Sequence, residues 1–284
     1  MSSSLGEARV AASRRRPSAR ARRQRLNIAG YALWALVAAV TIGGGWFYWW
    51  VTANRVQLDP DTLCPVSGPV AVTALLIDRS DPLTPIQELA IRQEFDAIKH
   101  AVPRYGALEI YAVNPTEAAP LEVIIRRCNP GDGSDTNPFT GNSTLQQKRW
   151  RDGFVQPIDE LLQRMLLPGR SDTSPILESI QSVALTAFPK LLPATAPRRL
   201  VIVSDMLQHT SGLSHYKAEV DFEHLQQTPY WRKVRADLRG VEVSILYLRR
   251  ETGQQVQNRS HIVFWQESIA AMGGVLANVR AIEG

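Results

Sequence analysis

The chain has 284 residues, 44% of them hydrophobic, with 32 basic and 27 acidic side chains and two cysteines; that is long enough for one sizeable domain and an appendage. Its net charge of +5 sits at one end: eight arginines against one glutamate give residues 1–25 a charge of +7, so the remainder, with 24 basic and 26 acidic side chains, carries −2. A near-neutral body of this kind gives no reason to expect nucleic-acid binding.

Residues 1–25 mix Ser, Ala and Arg without apolar periodicity and are predicted to be a disordered basic tail. Residues 26–51 contain no charged side chain and suffice to cross a hydrocarbon core of about 30 Å as a helix. They end near Trp46-Phe47-Tyr48-Trp49-Trp50, an aromatic cluster suited to a membrane–water interface. A basic flank ahead of the span predicts a cytoplasmic tail and a translocated remainder. The competing reading is a cleavable signal peptide, with Val51-Thr52-Ala53 as the cleavage sequence. Against it, the apolar stretch exceeds a signal-peptide core, and Trp49 and Trp50 crowd the site. The tail and span resemble those of bacterial single-pass inner-membrane proteins, which implies a periplasmic location for the chain from about residue 52 onward.

Residues 52–69 read as a linker containing Pro60, Pro65 and Gly68, and residues 70–284 as one α/β domain. Its first strand, 70–77, is almost continuously apolar, as suits a strand covered on both faces, and it stops at Asp78-Arg79-Ser80-Asp81. Thr84-Pro85 opens a helix to about residue 100, with Ile86, Leu89, Ala90, Phe95 and Ile98 as its apolar stripe. Strands come next at 108–113 and 121–127, with too short a connection for a crossover helix, so they are expected to be antiparallel neighbours. After a loop comes a helix over 144–167 with Phe154, Ile158, Leu161, Leu162 and Met165 inward, then a helix over 176–188. A second buried strand, 200–204, ends at Asp205. Residues 206–223 read as polar and irregular; beyond them lie a helix (230–238), a strand (241–248), a helix (261–272) and a last strand (275–279).

Strands separated by helices make a doubly wound, mostly parallel sheet with one antiparallel edge strand, preceded by the transmembrane helix. With the first strand central and the third at the edge, Cys64 and Cys128 arrive at one rim of the sheet, and the two aspartate-terminated strands open a crevice at the other. An even cysteine pair in an oxidising compartment favours a disulfide, two unrelated buried cysteines being the alternative.

A strand ending Asp78-Arg79-Ser80, a Ser174-Pro175-Ile176 turn before a helix and a later strand ending at Asp205 resemble a von Willebrand factor A (VWA) domain. That resemblance covers roughly residues 70–280. It implies a Mg²⁺ or Mn²⁺ site, in keeping with the preference of hard cations for oxygen ligands. Carried over residue by residue, the ligands would be Asp78, Ser80, Ser174 (or Thr173) and Asp205. Residue 82 is Pro where the family has its second serine, with Asp81 or Thr84 as substitutes. The function implied is non-enzymatic: a membrane-anchored domain that binds an unidentified protein partner, with an envelope, secretion or conjugation assembly as the candidate settings. The alternative is a membrane-anchored metal-dependent hydrolase using Asp78 and Asp205. His209, His215 and His224 with Asp221 and Glu223 fit no compact zinc spacing and are expected to be surface residues.

Overall fold

A computed structural model describes residues 19–53, 56–114, 121, 123–136, 141–167, 169, 171–188, 195–217, 220–251, 253 and 255–284. Most of the tail expected to be disordered lies outside these residues, but from Ala19 the chain is already helical, in α1 (Ala19–Ala53). Within α1, Asn27–Ala53 is long and apolar enough to cross a membrane. The chain divides into two compact units, Met1–Val56 and Gln57–Gly284.

The second unit is built on six strands: β1 (Val72–Ile77), β2 (Ala107–Ala112), β3 (Ile125–Cys128), β4 (Arg198–Ser204), β5 (Val241–Leu248) and β6 (Val275–Ile282). Their order is β3-β2-β1-β4-β5-β6. All neighbours are parallel except β2 and β3, whose antiparallel register sets Glu109 opposite Arg126 and Ala107 opposite Cys128. Period-two alternation divides the core between the faces. Val72, Ala74 and Leu76 face one cluster with α5 (Ile176–Ala187), α6 (Phe222–Gln226), α7 (Pro229–Val234) and α8 (Arg259–Ala271). Leu75 and Ile77 face the other, with α2 (Pro85–Ala101) and α4 (Gln156–Met165). Both faces of β1 are therefore covered, which is why its sequence is apolar but for the buried Thr73.

Helix α2 is phased differently from the expected stripe. Its buried positions are Gln87, Ile91, Phe95 and Lys99, whereas Ile86 and Leu89 are exposed. Polar interactions settle the phase. Thr84 and Gln87 form a reciprocal capping box, and Gln87 Nε2 also donates to the Arg249 carbonyl at 2.9 Å. At the other end Lys99 is held by Asp96 and Asp159, tying α2 to α4.

The predicted helix over 144–167 is instead α3 (Ser143–Trp150), a π-helical turn (Arg151–Val155) and α4, with the expected inward residues buried. Gly153 in the π turn leaves room for Leu63, whose Cδ1 would stand 2.6 Å from a Cβ there. The helix predicted over 230–238 is shorter, because Arg235 turns out of α7 into an extended conformation. Residues 206–217 are ordered by bridges between Ser174 and His209 and between His209 and Ser214.

Cys64 and Cys128 form a disulfide, with Cα atoms 4.7 Å apart. Cys128 N–H also donates to the Thr62 carbonyl at 2.9 Å, so the segment before β1 is fastened to the end of β3 at the predicted rim.

Candidate ligand crevice

The winding of the sheet reverses between β1 and β4, and the crevice lies at the carboxyl ends of these two strands. Asp78 comes directly after β1 and Asp205 directly after β4, and Asp78 N–H continues the ladder to the Val203 carbonyl at 2.9 Å. The next residue of β4, Ser204, therefore lies beside Asp78.

Both oxygens of the buried Asp78 carboxylate are engaged. Oδ1 accepts from the Ser80 N–H at 2.9 Å and from the Ser80 hydroxyl. Oδ2 accepts from the Ser174 and Ser204 hydroxyls, each at 2.9 Å. Two backbone bonds with His209, at 2.9 and 3.0 Å, hold Ser174 in place. Ser204, fully buried, also accepts from the Met206 N–H at 2.8 Å. Met206 has φ of 60°. Its carbonyl accepts from His261 Nε2 and Trp265 Nε1, both at 3.0 Å.

Asp205 is bound differently. Oδ1 accepts from the Leu207 N–H at 2.9 Å, and Oδ2 accepts from Arg250 Nε at 3.1 Å. The Arg250 side chain is 14% exposed, and its Nη1 also donates to the Pro82 carbonyl at 2.7 Å. Burial first, and then the neighbouring Asp78 carboxylate, push the Asp205 carboxyl up to about 7, while Arg250 pulls the other way.

Asp78, Ser80, Ser174 and Asp205 thus gather at one place. Thr84 is committed to the α2 cap, Asp81 is exposed, and Thr173 lies in a turn with Ser171. Two further residues of the crevice, Ser204 and Arg250, escape sequence reasoning. The register of two parallel strands ending together is the signal that points to Ser204, and the Arg249-Arg250 pair at the carboxyl end of the strand beside β4 is the one that points to Arg250.

His224, Asp221 and Glu223 are exposed as expected and His209 is half-buried, but His215 is not a surface residue. His215 is 5% exposed, packed edge-on against His261 at 4.6 Å and Phe264 at 5.0 Å between ring centroids. Burial, and then His261, push the His215 imidazole down to about 3. No group of three or more His, Cys, Asp or Glu side chains able to hold a metal occurs among the described residues.

The oxygen-rich donor set is of the type hard divalent cations choose, but the arrangement around it does not fit one. Residue 82 supplies no hydroxyl, and a guanidinium already pairs with Asp205. Two like unit charges about 4 Å apart repel by about 4 kcal/mol at an effective dielectric of about 20, and a divalent ion doubles that.

No family model and no curated protein matches the chain. Among solved structures, the SpRpn10 VWA domain is 12% identical over 75% of this chain and 88% of its own, with a TM-score of 0.36. An aerotolerance-related membrane protein from Bacteroides fragilis is 12% identical, covering 74% and 90%, with a TM-score of 0.34. The conserved hypothetical protein BatB from Bacteroides thetaiotaomicron is 11% identical, covering 75% and 91%, with a TM-score of 0.35. The domain is VWA-like in fold. That statement stands on the strand order, the antiparallel edge and the crevice at the switch point of this chain.

Exposed apolar side chains lie on segments that lead away from the VWA-like crevice. Ile86 and Leu89, one helical turn apart on α2, are 66% and 61% exposed. Leu167, whose carbonyl accepts from Arg79 at 3.4 Å, is 60% exposed. Tyr216 is 54% exposed, and its phenol is pushed up to about 12 by partial burial and by Asp205 and Asp81.

Proposed function

We propose that the chain is a membrane-anchored interaction protein whose VWA-like domain docks a protein partner at the crevice between β1 and β4. The observation that carries this reading is the charged centre of Asp78, Asp205 and Arg250 with exposed Tyr216, whose phenol feels both carboxylates, beside it, and with exposed Leu167, Ile86 and Leu89 on the segments that meet or continue the loop after β1. Apolar area removed from water supplies affinity, and a fixed charged centre supplies register and selectivity. In this reading α1 is an uncleaved span, the basic tail is cytoplasmic, and the domain lies in the periplasm of a bacterial inner membrane, where the Cys64–Cys128 bridge is favoured.

The test is the full chain purified with its partner from native membranes. Ile86→Asp combined with Leu89→Asp should release the partner while leaving the melting temperature within a degree or so of wild type, since both side chains are exposed. Retention of the same partner by a folded variant would overturn the docking site. A reporter enzyme active only in the periplasm, fused after Gly284, should be active, and a silent reporter would reverse the orientation.

A further inference from the structure

We infer that the guanidinium of Arg250 is the resident cation of the crevice, performing the charge neutralisation for which a divalent ion was expected. The inference refines the docking reading and rests on the same crevice.

Arg250 lies two residues beyond β5, the strand that flanks β4 and therefore Asp205. Its position is built in from several sides. Nε donates to Asp205 Oδ2 at 3.1 Å and Nη1 donates to the Pro82 carbonyl at 2.7 Å. Its backbone N–H donates to Gln257 Oε1 at 2.8 Å. Gln257 is itself buried, with Nε2 donating to the Asp205 carbonyl at 3.0 Å and the Leu248 carbonyl at 2.8 Å. One arginine thus joins the ends of β4 and β5 to the loop after β1.

The departure at residue 82 and the presence of Arg250 are complementary. Proline removes a hydroxyl that the family resemblance assigns to the metal, and its carbonyl is what the arginine takes instead. The fixed fork of a guanidinium suits this double duty, bonding a carboxylate with one N–H and a carbonyl with another, where a lysine offers only a point charge. Asp78 meanwhile has four hydroxyl and amide donors of its own, which fix its carboxylate beside Asp205. The crevice therefore holds its shape without Mg²⁺ or Mn²⁺, and the loop over residues 78–82 is tethered to β5 through one side chain.

The experiment uses the full chain in detergent, probed with Mn²⁺ by electron paramagnetic resonance and with millimolar Mg²⁺ in thermal melts. Wild type is expected to leave the Mn²⁺ signal unbound and its melting temperature unmoved by Mg²⁺. Arg250→Gln, which can still donate to the Pro82 carbonyl but carries no charge, is expected to melt lower. If Arg250→Gln does not accumulate, Arg250→Lys replaces it. One Mn²⁺ bound per wild-type chain and displaced by Mg²⁺ would overturn the inference. Where wild type binds none, the cycle of Arg250→Gln, Asp205→Asn and the double variant decides. Changes in stability at pH 8 that are not additive uphold the resident pair, and additive changes overturn it. Metal binding and partner release are separate readouts, so either reading can fail without the other.

Discussion

Asp205 makes the crevice sensitive to pH in a direction that can be worked out in advance. Its carboxyl titrates at about 7 in the folded chain, against an ordinary value of 3.8, with burial as the first cause and Asp78 as the second. Between those values the folded state binds more protons than the unfolded state, so this group's contribution to stability falls as pH rises. Its contribution is fully present below about pH 4 and is gone above about pH 7, a span of about 4 kcal/mol. Between pH 5 and pH 8 the same relation gives a loss of about 2–3 kcal/mol. His215 and His261, pushed down to about 3 and about 4, bend the profile the other way, since their stabilising neutral forms are lost as pH falls below the unfolded value of 6.5. The quantity to measure is therefore the difference between wild type and Asp205→Asn, in which the histidine contribution cancels. Urea denaturation of the full chain in detergent, monitored by near-ultraviolet circular dichroism, supplies it at each pH. Asp205→Asn should gain about 2–3 kcal/mol relative to wild type on going from pH 5 to pH 8. Parallel profiles for the two proteins would refute the reasoning.

Three further perturbations probe other parts of the account. Replacing Cys64 and Cys128 by serine opens a loop with a sequence separation of 64 residues. Chain entropy puts the cost at about 4 kcal/mol, read as a lower urea midpoint, and an unchanged midpoint would contradict it. Ser204→Ala leaves the buried Met206 N–H and one Asp78 oxygen short of a partner. It should cost about 1–3 kcal/mol in the same assay, and a neutral result would mean that the hydroxyl is dispensable. In Gly169→Ala the new Cβ would stand 2.3 Å from the Arg79 carbonyl oxygen. The variant should melt several degrees lower and exchange amide hydrogens faster over residues 78–82, whereas unchanged exchange there would show that the two segments are not in contact.

The sheet is legible in the sequence because its signals are local. A strand buried on both faces is apolar over most of its length, and β1 and β4 both end abruptly at polar residues. The antiparallel placement of β3 comes from a connection too short for a crossover, and the cysteine rim comes from that placement. Apolar periodicity misphases helix α2 because it does not register Gln87 and Lys99, whose burial depends on Arg249 and Asp159 elsewhere in the chain. The buried His215 reads as a surface residue for a similar reason, since its packing against α8 is invisible in a polar loop sequence. In the crevice, Asp78, Ser80, Ser174 and Asp205 converge because two of them end adjacent parallel strands and the serines bond to Asp78. Arg250 is hidden from such reasoning because its partner, Asp205, is 45 residues away and joins it only through the pairing of β4 with β5.

The central claim is that partners dock at the carboxyl ends of β1 and β4. It is tested most directly by placing a photo-crosslinking amino acid at one position per rim, in the full chain in its native membrane. Tyr216 stands beside the crevice, and Arg104 is exposed on the opposite rim, between α2 and β2. The account predicts a crosslinked protein partner from position 216, lost when Ile86 and Leu89 are changed to Asp, and none from position 104. The same partner crosslinked from position 104 and absent from position 216 would contradict it.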